Sequence, residues 1–212
     1  MKIALPCLFT AFLLFSCAST KNASSGKWIP LFDGKSLSNW RVGTNAGTFS
    51  IDSGMLIIHG KTAHLFYEGP VMNHEFKDFE LKVELMTYPG ANSGIYFHTV
   101  YQDSSWPAKG YEVQVNNSHT DWRRTGSLYG IDDVKEVYVK DYEWYTEYIK
   151  VEGKRVIIMI NDKIVVDYTE PENLKRTGGD AQRVISSGTF AIQGHDPKSI
   201  VHVRSVKVRP IS

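Results

Sequence analysis

Cysteine is almost missing from this 212-residue sequence: Cys7 and Cys17 are the only two, and both fall close to its start. A disulfide framework is therefore excluded from the body of the chain, whatever compartment it occupies. An excess of either charge is missing too. With 24 basic against 23 acidic residues, the electrostatics give no reason to expect nucleic acid or another polyanion as partner, and the expected ligand is neutral or weakly charged. There is no nucleotide-binding loop, no paired-cysteine zinc pattern, no HExxH and no GxSxG elbow. Beyond residue 27 no segment shows a capped amphipathic helical stripe. These gaps remove most function classes that a short motif would announce.

What is present is alternation. Phe79, Leu81, Val83 and Leu85 interleave with Glu80, Lys82, Glu84 and Met86, as a half-buried strand requires. "FSIDSGMLIIHG" reads as a hairpin turning at Asp52, Ser53 and Gly54, and "RVIIMINDKIVVDY" as another turning at Asn161 and Asp162. Further strands are expected at "GIYFHTV", "EWYTEYIKV", "GTFAIQG" and "SIVHVRSVKV". In the last, Val201 and Val203 share one parity while Val206 and Val208 share the other, so a bulge is expected near Arg204 and Ser205. Roughly ten to twelve strands and no helices predict an all-β antiparallel sandwich. Two polar stretches, 117–135 and 170–187, are expected to be loops crowning one end or edge.

Residues 1–16 read as a signal peptide: Lys2, an apolar run over 3–15, then "LFSC". The run is too short for a permanent membrane span. "LFSC" resembles the bacterial lipobox, which implies lipidation of Cys17, and residues 17–27 then form a flexible serine-rich tether. With Ala18 and Ser19 rather than Asp behind the cysteine, and no acidic cluster, the expected location is the outer membrane facing the periplasm, the lipid being the only membrane contact. Residues 28–212 are left as one sandwich domain.

Strand geometry is where a site has to be sought. In "KGYEVQVNNSH", Tyr111, Val113 and Val115 take one face, and Glu112, Gln114 and Asn116 take the other. Tyr96 with His98, and Gln193 with His195, offer two similar polar faces, and the loops add Trp106, Trp122, Arg123 and Tyr129. Aromatic rings beside fixed hydrogen-bonding groups suit a sugar, although a merely solvated sheet face carries polar residues as well. His59, His64 and His74 fall around turns and read as structural; His202 and Arg204 read as solvated groups on an edge-like terminal strand. Asn92-Ser93-Gly94 fits a backbone turn and a binding element equally well.

The blocks "LFDGKSLSNW", "GANSGIYFH", "KGYEVQVNN" with "TGSLYG", "EWYTEYIKVEGKRVIIMINDKIVVDY" and "GTFAIQGHDPKSIVHVRSVKVRP", in that order, resemble the 3-keto-disaccharide hydrolase family. The resemblance runs from Trp28 to Pro210. It implies a concanavalin A-like jelly roll of the lectin and glucanase type, acting on sugars or glycosides oxidised at C3, with Glu112, Asn92 and His195 as site residues. The chain departs from the family at His98, where many members carry arginine.

A retaining glycosidase needs two carboxyl groups about 5–5.5 Å apart, and the same-face neighbour of Glu112 is Gln114 rather than an acid. Asp121 and Asp132 follow in the next loop, with nothing in their spacing to place them. A 3-keto sugar avoids that need, because the ketone acidifies the C2 proton and the resulting enolate expels the C1 substituent. Such chemistry needs a base, a stabiliser for the enolate and a proton donor. Glu112 is the candidate base or metal ligand, His195 and His98 the electrophilic or acid partners, and a divalent cation a further candidate for polarising the ketone. Asn92, Tyr96, Gln114, Trp106, Trp122, Arg123, Tyr129 and Gln193 are left to bind substrate. A non-catalytic sugar-binding lipoprotein and a conventional endo-glycosidase stay open as alternatives.

Overall fold

The computed structural model describes residues 26–211; the expected signal, Cys17 and most of the expected tether lie outside them. Thirteen strands follow one another. They are β1 (Ile29–Pro30), β2 (Trp40–Val42), β3 (Phe49–Asp52), β4 (Met55–His59) and β5 (Ala63–Tyr67). Then come β6 (Phe79–Thr87), β7 (Ser93–Thr99), β8 (Tyr111–Val115) and β9 (Tyr145–Glu152). The last are β10 (Arg155–Ile160), β11 (Lys163–Thr169), β12 (Thr189–Gly194) and β13 (Ile200–Pro210). The helical elements among the described residues are three short 3-10 turns.

All pairings are antiparallel. The larger sheet has the order β11-β10-β9-β6-β13-β4-β3, with β1 added against β13; the smaller has the order β2-β5-β12-β7-β8. Their inner faces meet in one core. Leu81, Val83 and Leu85 of β6, Ile149 of β9 and Ile158 of β10 pack toward Leu65 of β5, Phe97 of β7 and Tyr111 and Val113 of β8, all fully buried. Burial of this alternating set is what fixes strand register, since a slip of one residue would send every side chain to the wrong face.

Both expected hairpins form: Ser53 and Gly54 take φ of 50° and 79°, and Asn161 takes 54°. The expected bulge is also there. Register in the β13–β6 pair shifts between Val203 and Ser205, which lets Val201, Val203, Val206 and Val208 all enter the core. The terminal strand, however, is no edge. β13 lies between β6 and β4, a place its sequence permits because both halves present buried valines. On its outer side Arg204 reaches Glu84 at 3.1 Å, and His202 stacks at 4.9 Å from Tyr88. The outer face of the larger sheet also holds a cavity of about 450 Å³ bordered by Trp28, Lys82 and Tyr148.

An inward position on β9 breaks the apolar pattern. Glu147 of β9 is fully buried, and neither carboxyl oxygen has a hydrogen-bond partner. Burial pushes its pKa well above the usual carboxylate range, and the negative field of Glu112 adds to the rise. The folded chain therefore keeps this proton where the unfolded chain has lost it, so Glu147 erodes stability as pH rises from the unfolded value upward. Glu147→Gln removes that slope. Thermal melts should show the variant close to wild type at about pH 4.5 and increasingly more stable toward about pH 8, by up to about 1.4 kcal/mol per pH unit. A gap that stays constant across the range would refute the buried neutral acid.

Candidate functional site

The smaller sheet turns its outer face toward a cavity of about 430 Å³. Its floor follows from register. Tyr96 stands opposite Glu112 and Gly94 opposite Gln114 in the β7–β8 pair; Ala191 stands opposite Tyr96, and Gln193 opposite His64, on the other side. Residues opposite one another share a face, so Glu112, Gln114, Tyr96, Gln193 and His64 belong to one surface. The walls come from three loops: Trp106, Pro107 and Ala108 on one, Asp121 and Tyr129 on the second, Gly179, Asp180 and Arg183 on the third.

Glu112 is the most constrained group. Tyr96 donates its hydroxyl to Oε2 at 2.8 Å, and Gln193 donates its amide to Oε1 at 2.9 Å. The space for this carboxylate exists because Gly94 has no side chain: a Cβ there would lie 2.3 Å from Oε1. Burial pushes the Glu112 pKa up to about 7, against the opposing hydrogen bonds from Tyr96 and Gln193 and the positive charge of Arg183. Beside it Gln114 donates to Asn92 at 2.9 Å, and Asn92 in turn stands 3.4 Å from His119 Nδ1. Asn92 thus serves the cavity rather than only a turn.

His195 lies at the end of this surface. Its Nδ1 is 2.7 Å from the carboxylate of Asp196, which also accepts from Ser199 at 2.9 Å. Burial works to raise Asp196, but hydrogen bonds from His195, the Lys198 backbone and Ser199 outweigh it and hold the acid down to about 2. A carboxylate on Nδ1 assigns the proton to that nitrogen and leaves Nε2 for the cavity.

Of the residues singled out in the sequence, Glu112, His195, Asn92, Tyr96, Gln114, Trp106, Tyr129 and Gln193 line the cavity. His98, Trp122 and Arg123 do not. For His98 the cause is a bulge: Thr189 pairs with Thr99 and Ala191 with Tyr96, so Phe97 and His98 face Phe190 alone. With φ at 55°, His98 leaves the Tyr96 face and packs against Phe79, its ring centroid 5.6 Å away. There Nε2 donates to the Lys77 carbonyl at 2.8 Å, and Nδ1 accepts from Ser186 at 3.3 Å. Burial drives its pKa down to about 4, only partly offset by the Lys77 bond. His98 is a satisfied, neutral core residue.

Trp122 and Arg123 are excluded by the loop's own fixings. Asn116, the third member of the polar face in the sequence, donates to the carbonyls of Asp121 and Arg123 at 2.9 and 2.7 Å. That pins Asp121 inward and leaves Trp122 46% exposed outside. The Arg123 guanidinium lies 4.7 Å from the Tyr129 ring centroid and bonds Asp133 at 3.1 Å, so it buttresses a wall from behind. Asp132 is exposed and lines nothing.

Two further residues of the site carried little signal. Asp180 and Arg183 come from a polar loop without periodicity, and only tertiary folding brings them in, joined at 3.0 Å. His64 had a readable one: in "AHLFY" it shares parity with Phe66, opposite the core residues Leu65 and Tyr67. It is buried on the same face beside the cavity, its ring 5.5 Å from Tyr96 and 5.4 Å from Trp106. Among the described residues no group of three or more His, Cys, Asp or Glu side chains is arranged to hold a metal ion.

Comparison with known proteins places the fold and the family. A 3-keto-disaccharide hydrolase from Bacteroides thetaiotaomicron is 27% identical over 168 residues, covering 66% of this chain. The match spans 58% of that relative's own length. A glycosyl hydrolase candidate from Parabacteroides distasonis has a TM-score of 0.72 at 18% identity, over 88% of this chain and 94% of its own. The carbohydrate binding module CBM66 from Bacillus subtilis gives 0.57 at 14% identity, over 81% and 95%. At such identities the structural likenesses establish the fold, a jelly-roll sandwich shared by glycosyl hydrolases and lectin-like domains. The family model of the 3-keto-alpha-glucoside-1,2-lyase-like domain matches residues 27–209, and the chain belongs to that 3-keto-disaccharide hydrolase family.

Proposed function

We propose that the protein cleaves 3-keto-glycosides by removing the C2 proton, expelling the C1 substituent and adding water. The observation that carries this reading is Glu112, a lone carboxylate on the floor with its pKa raised to about 7 by burial. A base poised near the working pH is what proton abstraction next to a ketone requires. Two donors already hold the carboxylate oxygens, so the ionised form is solvated by the site itself. Arg183, the only Lys or Arg among the lining residues, supplies positive charge for the enolate. His195 acts as the imidazolium, its Nδ1–H held by the Asp196 carboxylate and its Nε2 proton passing to the departing oxygen. Trp106 and Tyr129 give aromatic walls for the ring.

Asp121 also lines the cavity and gives ordinary two-carboxylate hydrolysis a specific footing as the second reading. Incubation with a chromogenic 3-keto-glucoside and its unoxidised parent separates them. Release from the keto form alone supports elimination; release from the parent supports the conventional route; binding without release from either supports a lectin-like module. The cell-envelope location belongs to the same proposal, and a mature protein that does not begin at a lipidated Cys17 would overturn it.

Glu112→Gln keeps the volume and the Tyr96 contact while removing the base. Turnover of the keto substrate should fall by about 10²- to 10⁴-fold with the melting temperature little changed. In wild type, kcat/KM should rise with pH through about 7, because the base acts only when ionised. A flat profile across that range, or near-normal turnover in the variant, would remove Glu112 from the base role.

A further inference from the structure

Two buried polar atoms on the sheet face that carries the cavity have no hydrogen-bond partner: Oε1 of Gln193, a lining residue, and Nε2 of His64 just beside it. Their residues face each other across the β5–β12 ladder, which sets Cβ atoms on a shared face about 4.5–5.5 Å apart. Buried polar atoms are seldom left unpaired, and a neighbouring pair of them at the edge of a cavity calls for a shared partner.

The chemistry of each atom is defined. The Gln193 amide nitrogen is 2.9 Å from a Glu112 oxygen and 3.1 Å from the Tyr96 hydroxyl. Only the NH₂ end can donate to a carboxylate, so the atom left over is the acceptor oxygen. Burial lowers the His64 pKa to about 4, helped by the nearby His195; the ring is neutral at working pH, and its Nε2–H tautomer sets a donor beside that acceptor. A donor beside an acceptor is the complement of one water molecule. Trp106 stands 5.4 Å from the His64 ring and 5.5 Å from that of His195, and being 46% exposed it has room to move. Both atoms are shut off from bulk solvent, and the indole is one of the groups packed against the imidazole.

We propose that His64 and Gln193 hold the water that adds to C1 after the aglycone has left, a role that rests on the elimination reading above. Elimination leaves a C1=C2 double bond conjugated to the C3 ketone, with the C2 proton on Glu112 and His195 having given its proton to the leaving group. The held water donates one hydrogen to Gln193 Oε1 and accepts one from His64. Its second hydrogen passes to His195 Nε2 as its free lone pair bonds to C1. The π electrons move to the enolate, which takes back the proton from Glu112 at C2. Atoms and protons balance without any oxidant or reductant, and both groups regain their starting states. His64 is a water-positioning residue whose effect is confined to the second half of the reaction.

The test uses His64→Leu and His64→Phe, with His64→Gln as the polar control. In single turnovers of a chromogenic 3-keto-glucoside, the colour reports aglycone release and the ultraviolet absorbance of the enone reports unhydrated sugar. Whatever happens to the total rate, the ratio of unsaturated to hydrated product should rise about tenfold in whichever apolar variant folds, and fall back in the glutamine variant. An unchanged ratio, with release and hydration reduced together, would overturn the role. Wild-type protein that releases no aglycone would instead overturn the elimination reading beneath it.

Discussion

A carboxylate can rest in the floor of this sheet because the residue diagonal to it has no side chain. Glu112 occupies the space a Cβ on Gly94 would fill, with Tyr96 directly across the ladder and Gln193 one strand further on. The same strand that presents Glu112 sends Tyr111 and Val113 into the core. Displacing the acid therefore means either shifting β8 and exposing those groups or breaking the bonds from Tyr96 and Gln193. The site inherits its rigidity from the sandwich beneath it, which is how catalytic groups are held to productive geometry.

That coupling explains how much the sequence disclosed. Alternation around Glu112 is enforced by burial on the other face, so Glu112, Gln114, Tyr96 and Gln193 are all legible from parity. His98 shares parity with Tyr96 and still leaves the face, because a bulge puts two residues against one and no residue type in "YFHTV" demands positive φ there. His64 obeys the parity rule, but its position near a turn invites a structural reading. Arg183 is illegible for another reason: a polar loop reveals nothing of where it folds back until the walls around it exist.

Two buried acids illustrate what position does to one functional group. Glu112 and Glu147 both have raised pKa values through burial. Glu112 meets donors and opens to a cavity; Glu147 meets no partner and faces the core. They do not form a glycosidase pair, because the smaller sheet lies between the cavity and the core. The carboxylates that line the cavity are Glu112 on the floor and Asp121 and Asp180 on the loop walls.

Strand β1 joins the larger sheet beside Trp28, whose ring lies 4.7 Å from the Lys82 ammonium and 4.9 Å from the Arg209 guanidinium on the outer surface. The chain thus enters the domain on the flank remote from the cavity mouth. The two ends of this geometry are set apart by the full thickness of the sandwich: the first described residues lie against the outer face of the larger sheet, and the cavity opens from the outer face of the smaller one.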